Sequence, residues 1–246
     1  MIITVANQKG GVGKTTTAVT LASGLAALHG MEVLLVDLDT QGNCSDALGL
    51  EKAGDLSEWL LYEKPLAEAR FGARNKLYLI RSDKTTERLK AVLSGMDFRE
   101  KILSRRLRDY DKLWDVVVID CAPSTDVLHT AAMVAADLLI IPSRLDQFSV
   151  MGVVETIRSL NTVREMTNST CQIAGIIPTF FDRVTNESHN QLTALAGAFK
   201  NKVWPVIPQD VTCREASRLG KTLWEMGSGK ARDAYVECLD RLVELV

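Results

Sequence analysis

The chain has 246 residues, 46% hydrophobic and 24% charged, an ordinary globular composition that excludes wholesale disorder. A formal net charge of −2, from 29 basic and 31 acidic side chains, excludes an overall positive field, so any nucleic-acid binding needs a local patch. Five scattered cysteines (Cys44, Cys121, Cys171, Cys213, Cys238), with no C-x-x-C pair and no histidine at ligand spacing, read as reduced, mostly buried thiols rather than a disulfide framework or zinc site.

In chain order, apolar runs of strand length occur at 2–6, 32–37, 77–81, 115–120, 137–142, 172–178 and 202–208. Several carry Val and Ile at consecutive positions, as strands covered on both faces do. Helical-length segments separate them at 14–28, 83–93, 98–109, 149–165, 187–199 and 230–246. This alternation predicts an α/β fold, a doubly wound, mostly parallel sheet flanked by helices. With no repeat, low-complexity tract or Pro/Gly/Ser-rich linker, residues 1–246 are expected to form one domain. Ligands of such sheets sit at the carboxyl ends of the strands, so the residues just after each strand carry the functional signal.

After the first strand comes Asn7-Gln8-Lys9-Gly10-Gly11-Val12-Gly13-Lys14-Thr15-Thr16, then an apolar helix. The pattern G-x-x-x-x-G-K-[ST] fails at its first glycine, where Gln8 stands, and fits at Gly13-Lys14-Thr15. Three glycines let the backbone curl with its N–H groups inward around phosphate oxygens, and the following helix adds the positive end of its dipole. Lys14 then supplies a charge to the β/γ-phosphates of ATP, and the Thr15 hydroxyl a coordination position on Mg²⁺. The second strand ends Val36-Asp37-Leu38-Asp39-Thr40-Gln41-Gly42-Asn43; period two sets Asp37 and Asp39 on one side, where a buried carboxylate calls for a cation. The run 116–120 ends in Asp120, followed by Cys121-Ala122-Pro123-Ser124, and Asp120 is expected to hold Mg²⁺ through water.

The box from Lys9 to Thr16 resembles the deviant Walker-A motif of the ParA and MinD ATPases, closest to the short, Soj-like ParA partition ATPases. That resemblance implies an ATP hydrolase of the P-loop NTPase fold using ATP and Mg²⁺. It further implies that Lys9 reaches across an ATP-sandwiched homodimer to the partner's nucleotide, and that Asp39 positions or activates the attacking water. The nucleotide-binding residues are then Lys9, Gly10, Gly11, Val12, Gly13, Lys14, Thr15 and Thr16, with Pro208 in the segment matching the adenine-side loop. Three departures stand out: Ala122-Pro123 replaces a common proline pair, Arg183 sits one place early with Val184 at the expected arginine, and Gln209 and Thr212 replace frequent arginines.

Residues 181–232 still carry eight basic against five acidic side chains, and Arg183, Arg214, Arg218 and Lys221 are the candidate DNA contacts there. A second basic run at 99–108 reads as a solvated helix face. Three classes of function compete. The first is a nucleotide switch that binds DNA non-specifically and positions a plasmid, a chromosome origin or a protein assembly, with a ParB-like or cargo-adaptor partner stimulating hydrolysis. It would resemble the short forms without an added N-terminal helix-turn-helix domain, cytoplasmic and nucleoid-associated. The second is a MinD-like membrane-positioning ATPase, which needs a basic amphipathic tail. Residues 230–246 carry three basic and four acidic groups, and Tyr235, Val236, Leu239, Leu242, Val243 and Val246 read instead as packing on the sheet. No stretch approaches the roughly 18 apolar residues of a membrane span, and no leader pattern precedes the glycine-rich loop, so no membrane association is expected. The third is a metabolic P-loop enzyme, an iron–sulfur reductase or an amide-forming synthetase; the iron–sulfur form lacks a second cysteine ligand near Cys121.

Overall fold

Consecutive apolar residues with no polar alternation require cover on both faces of a strand, and β2 (Val33–Asp37) and β5 (Val116–Asp120) are buried at every position. The computed structural model describes residues 1–108 and 113–246. Around those two strands the chain lays down β1 (Ile2–Val5), α1 (Lys14–His29), α2 (Asn43–Leu48), α3 (Asp55–Leu61), α4 (Leu66–Ala69), β3 (Phe71–Arg74) and β4 (Leu77–Ile80). There follow α5 (Thr85–Ser94), α6 (Ile102–Arg108), α7 (Val127–Ala135), β6 (Leu138–Arg144) and α8 (Ser149–Thr167). The last elements are β7 (Gln172–Thr179), α9 (Asn186–Phe199), α10 (Val211–Arg218) and α11 (Lys230–Val243).

The seven strands pair in the order β3-β4-β2-β5-β1-β6-β7, parallel throughout except for β3 on β4. The pleat divides the core in two. Leu34, Val36, Val117 and Ile119 face the layer that holds Trp59 of α3, Leu89 of α5, Leu103 of α6, Leu128 of α7 and Leu160 of α8. Val33, Leu35, Val116 and Val118 face Leu21 and Leu25 of α1, Leu48 of α2 and Leu239 of α11. Six of the seven expected strands are present, and the doubly wound reading holds.

The segment 202–208 does not form the expected seventh parallel strand. Pro205 and Pro208 have no N–H to give a ladder. The segment keeps isolated bridges, Ile176 with Val203 and Phe181 with Pro208, and the Trp204 and Ile207 amides donate to the carbonyls of Ile176 and Pro178 at 2.8 Å. Trp204 adds to this hold, with its indole over β7. A Cβ on Gly175 would stand 2.1 Å from the indole Nε1. The seventh strand is instead β3, a short antiparallel partner of β4 across a tight turn at Asn75 and Lys76, with Lys76 at φ 58°.

The stretch expected as one helix over 98–109 opens with a 3-10 turn at Arg99–Lys101 before α6, and Asp109 lies outside the described residues. The C-terminal helix stops at Val243. Tyr235, Leu239 and Leu242 are buried as expected, in the layer they share with α1 on the sheet: the Tyr235 hydroxyl is 2.9 Å from Thr17 Oγ1; Val246 is exposed. Gly175→Ala is expected to lower stability by roughly 1–3 kcal/mol, the usual cost of overpacking. Urea unfolding would then show a lower midpoint at unchanged slope; an unshifted midpoint would mean that the Trp204 seat is not tightly packed.

Candidate nucleotide-binding site

Residues 7–13 link β1 to α1 and are anchored from both sides. The buried Asn7 amide donates to the Pro142 carbonyl of β6 at 2.8 Å, and its Oδ1 accepts the Lys9 N–H at 2.9 Å. Across the loop, the Thr179 hydroxyl of β7 donates to the Val12 carbonyl at 2.9 Å. Gly11 and Gly13 take φ of 69° and 87°, which an L side chain rarely adopts. Gly13 caps α1 with no side-chain hydrogen bond, so the first-turn amides of α1 have no side-chain acceptor. The Lys14 ammonium, nearly buried, donates to the Lys9 carbonyl at 2.9 Å across the mouth of the loop. Burial pulls its pKa down, and the neighbouring Asp120 is the strongest opposing influence. Gly13, Thr16, Phe180, Pro208 and Tyr235 line a cavity of about 460 Å³ beside the loop. The expected adenine-side residue and the phosphate loop therefore share one cleft.

The register of β2 and β5 sets Asp37 beside Asp120, both fully buried. Asp37 accepts the Asp39 N–H at 2.9 Å and the Cys44 N–H at 3.0 Å. Burial pushes its pKa well above the usual carboxylate range, and the adjacent Asp120 pushes the same way. Asp120 is pushed up to about 6, chiefly by burial, with Thr15, Cys44 and Lys14 opposing. Its Oδ1 is buried without a hydrogen-bond partner. An orphaned carboxylate oxygen beside Thr15 and Lys14 fits a hydrated Mg²⁺, a hard ion that prefers oxygen donors.

Asp39 is not on an alternating strand position. β2 ends at Asp37, and the Asp37–Asp39 contact turns the chain, leaving Asp39 half-exposed with its own Oδ1 accepting the Gln41 N–H at 2.9 Å. Strand periodicity therefore does not set its direction; the turn does. Lys9 forms an ion pair with Asp146 at 2.5 Å and lies 5.3 Å from the Phe148 ring. Asp146 follows β6, one of the strand ends where ligands gather, and that position was its only signal in the sequence.

The four candidate DNA contacts are all exposed. Arg183 and Arg214 line one cavity with Lys230, whereas Lys221 lines another with Thr15, Asn43 and Asp46. Arg218 lies on α10 toward its C-terminal end.

This loop at the head of a parallel sheet, with two acids at neighbouring strand ends, defines a P-loop nucleotide-binding fold. Residues 1–173 match the family model AAA_31, an AAA domain. Over 227 residues the chain is 34% identical to the chromosome partitioning protein ParA of Myxococcus xanthus, spanning 90% of this chain and 80% of that protein. Apo McdA of Cyanothece superposes with a TM-score of 0.89 at 25% identity over 98% of both chains. Cobyrinic acid a,c-diamide synthase of Mycobacterium smegmatis, solved with an ATP analogue and magnesium, gives 0.85 at 31% identity over 99% of this chain and 94% of that one. The chain belongs to the ParA/MinD superfamily of partition ATPases.

Lys14→Ala is expected to abolish ATP binding while the fold persists, because it removes the main positive charge facing the phosphates. A fluorescent-nucleotide titration beside a circular dichroism spectrum tests this. Unaltered affinity with a native spectrum would remove the phosphate-loop assignment.

Proposed function

We propose that the chain is an ATP-hydrolysing switch: ATP closes a homodimer, the dimer binds DNA without sequence preference, and hydrolysis releases it. The observation that supports this most is the phosphate loop, where Lys9 and Lys14 lie at one mouth with Asp39 and Asp120 beyond. Backbone amides of Gly10 to Thr15 would bind the phosphates, Lys14 the β/γ oxygens, and the cleft at Pro208 the base. Thr15 and Asp120 would hold Mg²⁺, which supplies charge neutralisation on the phosphate oxygens. Asp39 would orient the attacking water, and Lys9 would cross to the partner's nucleotide.

ParA of Myxococcus xanthus is named for chromosome partitioning, which supports a role for this chain in positioning a DNA or protein cargo. A ParB-like or cargo-adaptor protein would stimulate hydrolysis. No described helix is long and apolar enough to cross a membrane, and the acidic excess of the tail disfavours an anionic lipid surface. Likeness to the diamide synthase supports a second reading, an ATP-dependent amide-forming enzyme. DNA binding separates the two.

Asp39→Ala should leave ATP binding and dimerisation while slowing hydrolysis at least about tenfold, since it acts on water rather than nucleotide. Sizing chromatography with ATP and Mg²⁺ should show an accumulated dimer, and a monomer would count against the role. On random duplex with saturating ATP, the parent should bind with a log–log salt slope near minus the number of phosphates contacted. Arg214→Ala with Arg218→Ala should flatten that slope. A variant that binds like the parent moves the patch elsewhere. A parent that fails to bind at low salt overturns the partition reading and leaves the amide-forming one.

A further inference from the structure

The corner between β2, α2 and β5 holds a sulfur atom that the ATPase reading does not use. Cys44 lies in the first turn of α2, fully buried, with its Sγ 3.4 Å from Asp120 Oδ2. One donor atom each from Asp37, Cys44 and Asp120 lies within 4.8 Å of the others, all three residues buried. Asp120 Oδ1, which has no hydrogen-bond partner, belongs to the same corner. Each donor comes from a different rigid element, so their separation is set by the sheet and not by a loose loop.

The three donors are close enough to converge on one small ion. A tetrahedral zinc site has metal–sulfur and metal–oxygen bonds of about 2.3 and 2.0–2.2 Å, which place sulfur and oxygen about 3.5 Å apart. The Cys44 thiol donates to Asp120 Oδ2 at 3.4 Å, so replacing the shared proton with a metal would need little movement of either atom. Asp37 is already oriented by the amides of Asp39 and Cys44, the outer-shell support that metal-bound carboxylates usually have. Thiolate with two carboxylates favours a borderline-soft ion, while Mg²⁺ prefers oxygens alone.

We propose that Asp37, Cys44 and Asp120 form a binding site for a thiophilic divalent cation of the Zn²⁺ class, with a fourth position open to water. On binding, the thiol proton passes to solvent and a metal–sulfur bond forms, with no change of oxidation state. Because Asp120 contributes to both centres, such an ion would exclude Mg²⁺ from Asp120. The site would thus couple thiophilic metal to the state of the switch. The inference needs only the three donors and stands whether or not the chain hydrolyses ATP.

The test is a Co²⁺ titration of the full, metal-stripped, nucleotide-free chain, read as thiolate-to-metal charge-transfer absorption in the near ultraviolet. One equivalent per chain should saturate the band. Cys44→Ala and Cys44→Ser should each lose it with a native circular dichroism spectrum, and Cys121→Ala, next to Asp120 but outside the triad, should keep it. Absence of the band in the parent, its persistence in a folded Cys44 variant, or its loss only in Cys121→Ala would each overturn the proposal. Because no nucleotide is present, failure here leaves the ATPase reading untouched.

Discussion

Two carboxylates forced side by side in the dry end of a parallel sheet are the constraint on which the rest of this molecule depends. Asp37 and Asp120 are register partners on β2 and β5, and neither has any solvent contact. Burial alone disfavours their charged forms, and each raises the cost of ionising the other. Two backbone amides satisfy Asp37, but Asp120 is left with an oxygen that has no hydrogen-bond partner. Positive charge must therefore be brought to this corner. Lys14, at the start of α1, brings such a charge to Asp120 and is itself nearly buried, so each offsets the desolvation of the other.

That requirement explains the strength with which the loop is anchored. To place Lys14 over Asp120, the chain must leave β1, pass through two left-handed glycines and enter α1 without a capping side chain. Asn7 ties the start of the turn to β6, and Thr179 ties its far side to β7. The loop is held by strands on which it does not itself sit, which limits the movement of its amides. Preorganised donors of this kind lose little entropy on binding an anion, which is why such loops bind phosphates well.

Much of this was legible in the sequence where a single local rule decides. The runs at 33–37 and 116–120 read as strands because nothing polar interrupts them, and Gly13-Lys14-Thr15 reads as a phosphate loop because three residue types are needed together. The rest depends on contacts that spacing does not carry. The 202–208 run has a strand's composition, but its two prolines remove the donors that a ladder needs, so it docks by isolated bridges and Trp204 instead. β3 has only four residues, with exposed Phe71 and Gly72, and its sign was the turn at Asn75 rather than any apolar run. α7 is not among the expected helices; it starts after Asp126, whose side chain accepts the Leu128 and His129 amides, a cap that makes sense only once the chain is seen to turn there. Cys44 and Asp146 reach their partners over 76 and 137 residues, and no local pattern pairs residues so far apart.

The ion pair of Lys9 with Asp146 sets the terms on which a dimer of the proposed kind would form. Both side chains keep about 30% of their surface exposed, so the pair contributes on the order of 0–1 kcal/mol, as exposed pairs do. The contact with Asp146 is already charge-assisted, and a polyphosphate offers Lys9 one of the same kind with several negative charges rather than one. Exchanging Asp146 for a partner's nucleotide is therefore favourable only when that nucleotide is present and correctly placed. Without it, Lys9 stays on Asp146, and its carbonyl remains bonded to Lys14 at the mouth of the loop. A longer or better buried partner for Lys9 would hold the chain as a monomer even with ATP bound. The half-exposed position of Asp146, at the end of β6, is what keeps that exchange within reach.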